Sequence, residues 1–499
     1  MGDHRYMVYS VRKYNLDRRS LIAAVITCLV MLICSAYDSP LFPLYNSSDS
    51  AIFMLIGKGI TEGKIPYVDL FDHKGPVLFW IEALGWQMAG RTGVWIIETS
   101  GAVLSVFLLI KICDQLRSNC LFPVLGTAVV YLSYFGRGNL CENYSLPFIM
   151  FCVLLSVRYY QSSNIKHPRQ YAFVYGVCFA LLAFIRVNNA TVICGFALCI
   201  IIRLLVAREY RNLVENVLAG LAGVLVISVP ICLFFYVKGA LQDMLFCTFT
   251  YNFMYASERT ELDGAGWIQK LVTYMPIVYA TAFYGISAIR KKNNGYSMAF
   301  IRALFFVSLL CLVELLFTSM SAHYHTIALP MYSVAIAMSV PNLCFHDFLH
   351  CIKDYGRRNW ILVFVLISAI YFVWSGFNAC APIYRHYLTD YCVSRYQDVQ
   401  ECIKVIPKNE RDSVIGYEIA TSWYIDSDIT PCYKYYSMQH WWSSEEYDVN
   451  QQFLDYVSES FPKWIITGKT IGDETLVTIL NQHYEIATEG NWSYYRYVG

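Results

Sequence analysis

The sequence predicts an α-helical protein that crosses a membrane about eleven times and ends in a small α/β domain. Of its 499 residues, 57% are hydrophobic and only 15% are charged, whereas soluble domains carry about 25% charged residues. Apolar runs long enough to span a bilayer recur as far as residue 377 and then stop. Lys and Arg cluster in every second connection between these runs. Together these observations indicate a polytopic membrane protein.

Residues 1–19 precede the first apolar run and contain several basic side chains. No clean small-residue cleavage site follows them, so we expect a cytoplasmic tail rather than a cleaved signal peptide. The transmembrane part should then extend over 20–377. Its predicted spans lie at 20–37, 93–112, 119–135, 144–160, 170–185, 190–207, 213–237, 268–289, 298–318, 326–341 and 359–377.

The basic connections predict the orientation. The positive-inside rule places the N-terminus in the cytoplasm, and an odd number of spans places the C-terminus outside. The chain is therefore predicted to be a multi-pass protein of the plasma membrane, with residues 38–92 as its first external loop. The net charge of +1 gives no overall basic field, so nucleic acid is not an expected partner.

The first external loop combines apolar and reactive side chains. Residues 50–62 form an apolar run that is too short to cross the bilayer, and we expect a half-buried helix along the membrane surface. Residues 76–90 form a second apolar stretch. A crossing there would invert every later loop and break the charge rule, so we interpret it as a second interfacial helix, with Glu82 and Gln87 on its polar side.

This loop carries a family resemblance. An acid soon after the first span (Asp49) is followed by the stretch GITEGKIPY and by Lys-Gly-Pro before a Trp-containing apolar run. The pattern resembles the first external loop of the GT-C membrane glycosyltransferases, in particular the aminoarabinose transferase and protein O-mannosyltransferase group. With Glu142 and the overall topology, the resemblance covers about residues 20–380.

The resemblance implies a GT-C type fold and a hexosyl- or pentosyltransferase. Such an enzyme moves a sugar from a polyprenyl-phosphate donor to an acceptor on the extracytoplasmic face, by inverting displacement. The acceptor class would be a cell-envelope glycan, lipid or protein. The expected host is a bacterium. No cofactor follows from the sequence, and a divalent cation shared by Asp49 and Glu142 is left open.

Two acids are the candidate catalytic residues. Sugar transfer needs a base for the acceptor hydroxyl, and a carboxylate at a lipid–water boundary is partly desolvated, which raises its pKa. Asp49 matches the family's acid after the first span, and Glu142 matches a second acid in the next external loop. The plain alternatives are that Asp49 caps the helix that follows it and that Glu142 only complements a helix dipole.

The candidate substrate-binding residues are mostly basic side chains on the face that the charge rule keeps poor in Lys and Arg. A departing phosphate needs cations, so Lys74 and Arg186 are expected to bind the donor phosphate. Snorkelling to lipid headgroups is the plain alternative. The remaining candidates are Arg137, His323, Tyr324, His325 and Asp72, of which Asp72 would hold Lys74. Metal binding by the two histidines is a minority interpretation, and no metal ligands are predicted.

Residues 378–499 are more charged, and short strand-like runs alternate with a helical pattern. The runs DSVIGYEI, TPCYKYYS and PKWIITG predict strands, and NQQFLDYVSES predicts a helix in an extracytoplasmic α/β domain. Its Tyr-rich run and Trp pair are expected in the core. The sequence contains neither a P-loop nor a Rossmann glycine motif, and its 18 Cys include no CxxC pair.

The main alternative function is a polytopic transporter or lipid flippase of envelope polysaccharide assembly. Transporters often show two related halves with broken helices near the midplane. The sequence shows no internal repeat, and its candidate residues cluster at external helix ends. A third alternative is an inactive relative that binds a polyprenyl lipid and supports an assembly.

Overall fold

The computed structural model describes most of the chain and is mainly helical. The described residues are 18–42, 44, 48–135, 137–162, 164–252, 254, 264–290, 296–318, 321–339, 359–389, 391–439, 442–443, 447–468, 470–490 and 492–499. Most of the expected cytoplasmic tail, 1–17, lies outside them.

Helices dominate the described region up to residue 389. They are α1 (Arg18–Cys34), α2 (Ser48–Thr61), α3 (Pro76–Gln115), α4 (Leu121–Tyr134), α5 (Cys141–Gln161), α6 (Arg169–Arg186), α7 (Thr191–Val206), α8 (Tyr210–Val237), α9 (Leu241–Leu245), α10 (Gly264–Thr273), α11 (Met275–Ile289), α12 (Met298–Phe317), α13 (Leu329–Ser339) and α14 (Asn359–Ile383). Short 3₁₀-helices at Val187–Ala190 and Ala322–Ala328 precede α7 and α13.

One helix coincides with each of ten predicted spans, and the eleventh, 268–289, coincides with two helices that meet at a bend. Among the described residues, four stretches are long and apolar enough to cross a membrane, namely Pro76–Gln115, Arg169–Val206, Tyr210–Val237 and Met298–Phe317. The pair Gly266–Thr273 and Met275–Ile289, bent by 75°, makes a fifth if it is one span. These helices support a membrane location. The count of eleven crossings and the orientation stay predictions.

The long helix α3 is broken near its middle. Ala89 and Gly90 leave the helical conformation, and Gly90 has a positive φ of 57°. A Cβ atom at Gly93 would lie 2.0 Å from the carbonyl oxygen of Gly85, although eight residues of continuous helix rise about 12 Å. The two halves of α3 therefore fold back on each other at these glycines. Residues 76–88 thus form a helix distinct from the one that follows, as expected for the stretch 76–90.

The helix α2 is more buried than the sequence predicts. Residues 51–56 are at most 3% exposed, so the expectation that this helix is half-buried is wrong, while its position along the membrane surface stays a prediction. On one side Gly57 lies against α3, where a Cβ would be 2.6 Å from Cβ of Glu82. On another side Lys58 forms a 3.0 Å ion pair with Asp428. The first half of α3 and the C-terminal region therefore cover α2.

The C-terminal region contains a mixed four-stranded sheet. Its strands are β1 (Val414–Tyr417), β2 (Trp464–Thr467), β3 (Tyr484–Glu489) and β4 (Ser493–Tyr497), in the order β1-β2-β4-β3. The pair β1 and β2 is parallel, and the other two pairs are antiparallel. The accompanying helices are α15 (Tyr391–Ile403), α16 (Ser422–Ser427), α17 (Val449–Ser460) and α18 (Glu474–His483).

The predicted strand in TPCYKYYS is absent. Residues 430–437 run beside β1 with two hydrogen bonds, from Cys432 N to Val414 O and from Gly416 N to Tyr436 O, but they bend instead of forming a ladder. They serve as core instead, since Tyr435 and Tyr436 are fully buried. Strands β3 and β4 were not among the predicted runs.

The loop after α1 and the C-terminal region share one hydrophobic core. The ring of Phe71 packs edge-to-face on Tyr435 and Trp442, with centroids 5.2 and 5.5 Å away. The backbone of Phe71 also donates to Lys434 O and accepts from the Tyr436 hydroxyl, both at 3.0 Å. These contacts hold the reactive part of the loop, residues 72–75, in place.

Candidate functional site

Three consecutive residues of the first loop form a chain of close polar contacts. Nζ of Lys74 lies 2.6 Å from Nε2 of His73, and Nδ1 of His73 lies 3.3 Å from Oδ1 of Asp72. An ammonium group can only donate, so Nε2 of His73 must accept and the ring proton is on Nδ1, which faces Asp72. His73, held by Asp72, therefore fixes the orientation of the ammonium group of Lys74.

The charges of this chain follow from its burial and its neighbours. Burial lowers the pKa of His73, and the charge of Lys74 lowers it further. Burial opposes the ionised form of Asp72, but the hydrogen bond from His73 and the charge of Lys74 outweigh it and lower the pKa of that carboxyl. Burial also opposes the charge of Lys74, yet the carboxylate of Asp72 raises its pKa. At neutral pH the chain is a carboxylate, a neutral imidazole and an ammonium.

The loop is held against the end of α6 by a close backbone contact. The N–H of Gly75 donates to the carbonyl oxygen of Ile185 over 2.9 Å. A Cβ at Gly75 would lie 2.1 Å from the carbonyl oxygen of Phe184, so only glycine fits there. Tyr67 and Asn252 bind the carbonyl oxygens of Lys74 and His73, each at 2.8 Å. Lys74 is thereby placed beside Arg186.

Arg186 is paired with Glu142. Its Nη1 lies 2.5 Å from Oε1 of Glu142, and its guanidinium lies 3.8 Å from the ring centroid of Tyr324. The side chain of Glu142 is only 1% exposed, whereas that of Arg186 is 17% exposed. The carboxylate neutralises and orients the guanidinium, and the aromatic ring supports its face. The other donors of this guanidinium can serve a ligand.

His323 lies within electrostatic range of these groups and of Asp49. The charges of Glu142, Arg186, Asp49 and Lys74 all act on its imidazole, while burial lowers its pKa. Asp49 lies in the first turn of α2 and is exposed. The two predicted acids and the two predicted cations are therefore within electrostatic range of one histidine, and their common role in one site stays a prediction.

Arg137 lines the same cavity as His323. Arg137 and His323 line a cavity of about 240 Å³ together with Tyr37 and Trp374. Arg137 has a positive φ of 72°, as has Asn139 with 52°. The loop between α4 and α5 is thus bent into an unusual conformation at the candidate residue.

His325 lies in an aromatic cluster. Its ring stacks on Tyr134 at a centroid distance of 4.6 Å and on Tyr274 at 6.1 Å. It is fully buried, and within the described part of the chain neither ring nitrogen has a hydrogen-bond partner. The contacts of His325 are thus with tyrosine rings, whereas those of its neighbour Tyr324 are with Arg186.

A buried polar network beside the site was not predicted as functional. The backbone N–H of Asn139 and the side-chain amide of Asn143 donate to Oε1 of Glu98, at 2.6 and 2.9 Å. Asn139 also donates to Oγ of Ser50 at 2.9 Å and accepts from the hydroxyl of Tyr144 at 2.8 Å. Glu142 lies in α5, and the loop before α5 contains Asn139. Through Asn139 the network joins this loop to Ser50, the residue after Asp49. An acid within a predicted span, Glu98, is the sequence signal that could have revealed it.

Two further acids belong to this network. Glu82 is fully buried, with Oε1 3.2 Å from the hydroxyl oxygen of Tyr144, so its predicted place on the polar side of an interfacial helix is wrong. Asp38 is also fully buried, and a Cβ at Gly138 would lie 3.1 Å from both Asp38 and Glu98. Burial, and then the charge of Glu98, raise the pKa of Asp38 well above its usual value. Burial and the neighbouring carboxyl of Glu98 therefore favour the protonated form of Asp38 over its carboxylate.

In the part of the chain that the structure describes, no group of three or more His, Cys, Asp or Glu side chains is arranged to hold a metal ion. The question of a divalent cation therefore stays open for the candidate acids. The charged groups of the site suit an anionic ligand. Lys74 and Arg186 are two cations, and each has a carboxylate partner, Asp72 through His73 for Lys74 and Glu142 for Arg186. Aromatic rings supply the walls.

Comparisons with known proteins support a GT-C-like fold for this chain. The family model of the competence-induced Ccs4 N-terminal domain matches residues 12–373. Two crystal structures of ArnT from Cupriavidus metallidurans, one bound to undecaprenyl phosphate and one in the apo state, are 11% identical in sequence and superpose with TM-scores of 0.59 and 0.58. Each alignment covers 96% of this chain and 98% of ArnT. No curated protein matches the sequence. The chain therefore has a GT-C-like fold, as ArnT does.

Proposed function

Because the chain belongs to the competence-induced Ccs4 N-terminal domain family and has a GT-C-like fold, we propose that it is a membrane glycosyltransferase. It takes a hexose or pentose from a polyprenyl-phosphate carrier. The acceptor is a cell-envelope glycan, lipid or protein. The reaction takes place on the extracytoplasmic face of the plasma membrane, since the alternation of basic connections places the first loop there.

The observation that carries the proposal is the joint placement of Lys74 and Arg186. The backbone hydrogen bond from Gly75 to Ile185 sets the two cations side by side. Each has a carboxylate partner, Asp72 through His73 for Lys74 and Glu142 for Arg186. Paired in this way, the cations persist in a buried site until an anion arrives. A phosphate diester supplies such an anion, and undecaprenyl phosphate is the ligand of one of the ArnT structures.

The proposed reaction is a direct displacement. The acceptor hydroxyl oxygen attacks the anomeric carbon, and the bond from this carbon to the phosphate oxygen breaks. Its electron pair leaves with polyprenyl phosphate, whose charge Lys74 and Arg186 stabilise. The hydroxyl proton passes to Asp49, the exposed acid of the pair. The configuration at the anomeric carbon is inverted because attack and departure occur on opposite faces.

The remaining residues have supporting roles. Glu142 orients Arg186, and Tyr324 supports the face of the same guanidinium. Arg137 and His323 line the adjoining cavity of about 240 Å³, which would receive part of the donor or acceptor. The tail 1–19 is cytoplasmic, and the region 378–499 is extracytoplasmic. The latter packs on the first loop through Phe71.

Release of undecaprenyl phosphate tests the proposal. Membranes that contain the full chain are supplied with a panel of labelled undecaprenyl-phosphate sugars, and wild type is compared with Arg186→Gln. Arg211→Gln is the matched control, because the side chain of Arg211 is 94% exposed and pairs with Glu215 in its own helix. We expect release by wild type and by the control, and loss in Arg186→Gln. Equal release by Arg186→Gln would remove this residue from the site. Movement of intact donor across the bilayer without release would favour a flippase.

A further inference from the structure

A second cavity, separate from the candidate site, lies among α6, α7 and α8. Its volume is about 260 Å³. On one side α6 and α8 are in backbone contact, since a Cβ at Gly176 would lie 2.0 Å from Gly220 O and one at Gly223 would lie 2.1 Å from Phe173 O. The other side is formed by α7, which contributes Ile193, Ala197 and Ile200. The walls are therefore almost entirely apolar.

One end of the cavity is polar and is formed by His167 and Asn216. The amide nitrogen of Asn216 donates to the carbonyl oxygens of His167 and Asn212, at 3.0 and 2.8 Å. The orientation of this amide is thus fixed, and its oxygen is the atom that lies 2.6 Å from Nδ1 of His167. Because this oxygen can only accept, the ring proton of His167 is on Nδ1, and Nε2 carries a lone pair.

That lone pair is unused. His167 is 2% exposed, and within the described residues its Nε2 has no hydrogen-bond partner. The rings of Tyr159 and Tyr175 pack near the imidazole, but their hydroxyl groups bind elsewhere, to Ile165 O at 2.6 Å and to Ser156 at 2.8 Å. Burial lowers the pKa of His167, so the ring is neutral at physiological pH. A buried acceptor without a donor is unfavourable, and a ligand that donates would be favoured.

We propose that this cavity binds a lipid alcohol, with the apolar chain between α6, α7 and α8 and the terminal hydroxyl donating to Nε2 of His167. The apolar walls select a hydrocarbon chain. The neutral, accepting nitrogen selects a hydroxyl over an ionised carboxylate or phosphodiester, which has no proton to donate and would be costly to bury there. This proposal does not depend on the proposed sugar transfer. His167 precedes the start of α6, whereas Arg186 of the candidate site is the last residue of α6.

Photolabelling of the full chain in phosphatidylcholine nanodiscs tests this proposal. Two probes are matched: an alkyl chain with a mid-chain diazirine that ends in a hydroxyl, and the same chain that ends in a methyl ether. We expect labelled peptides from α6, α7 and α8, with the alcohol labelling about fivefold more than the ether, as one hydrogen bond would give. Equal labelling by both probes, or labelling confined to other helices, would overturn the proposal.

Three variants sharpen the experiment. His167→Phe keeps an aromatic ring but loses the acceptor, so alcohol and ether should label it equally. Ala197→Trp fills the cavity and should abolish labelling by both probes. Ala128→Trp is the control, because Ala128 lines a different apolar cavity beside α1 and α4, and its labelling should match wild type. If His167→Phe does not fold, the alcohol-to-ether ratio of wild type and the loss in Ala197→Trp decide the matter.

Discussion

The N–H of Gly75 donates a hydrogen bond to the carbonyl oxygen of Ile185 over 2.9 Å. A cation adjoins each of these residues in the sequence, since Lys74 precedes Gly75 and Arg186 follows Ile185. Two segments that are distant in the sequence therefore present their positive charges together. The proposed binding of a donor phosphate depends on this arrangement.

Gly75→Ala should separate the two segments. The new Cβ would lie 2.1 Å from Phe184 O, so the loop must shift. Overpacking of this kind costs about 1–3 kcal/mol of unfolding free energy. We expect a lower melting temperature and weaker binding of labelled undecaprenyl phosphate. Gly376→Ala is the control, since a Cβ there would have no described atom within 4 Å. Unchanged binding in Gly75→Ala would show that the contact does not position Lys74.

Asp49→Asn should remove the proposed base without affecting the fold. Asp49 is exposed, so the substitution leaves the core intact. We expect turnover to fall by about 10²- to 10⁴-fold, as for the loss of a general base, with an unchanged melting temperature. Asp69→Asn is the matched change in the same loop, where the side chain accepts from Ile65 N. Full turnover in Asp49→Asn would transfer the role of base to another group, with Glu142 next.

The unfolding free energy should fall as the pH falls below about 6.5. The pKa of His73 in the folded chain is below its ordinary value of 6.5. Between these two values the unfolded chain binds more protons, so stability rises with pH in this range and is lost on acidification. The slope should be smaller in His73→Asn, measured by denaturant unfolding in detergent at several pH values. An unchanged slope in His73→Asn would contradict a neutral, buried His73.

Asn139→Ala should weaken the polar network beside the site. It removes the donor to Ser50 and the acceptor for Tyr144, both of which are buried. Its positive φ of 52° also suits Asn better than Ala. Unsatisfied buried partners cost about 1–3 kcal/mol, so the melting temperature should drop. Asn164→Ala, whose side chain caps an exposed turn at Lys166, should change little. Equal melting temperatures would mean that the network is not structural.

The sequence is most informative where a residue type is out of place. Lys74, Arg186 and Glu142 stand out as charges at the ends of apolar runs, and the structure places them together. The separate helix at 76–90 follows from charge alternation, because a crossing there would put basic loops on both faces. A misplaced charge and the alternation of basic connections are local features of the sequence. They can be recognised without knowing which distant segment packs against them.

Other features depend on contacts between distant segments and could not be predicted. The burial of α2 requires Asp428 against Lys58 and Glu82 beside Gly57, and neither neighbour can be inferred from the apolar run itself. Residues 430–437 have the composition of a strand, but their tyrosines fill the core under the first loop. Asp38 lies in a loop and Glu98 in a predicted span. Hydropathy alone does not predict that these two side chains lie close together.

The aromatic contact of Phe71 with Tyr435 and Trp442 has a consequence for how the chain can be divided. A version truncated before residue 378 would keep the apolar helices and both proposed acids. It would nevertheless leave one face of the loop that carries Lys74 without its covering layer. Transmembrane and C-terminal regions expressed as two separate polypeptides should therefore recover activity only when they are produced together and reassociate.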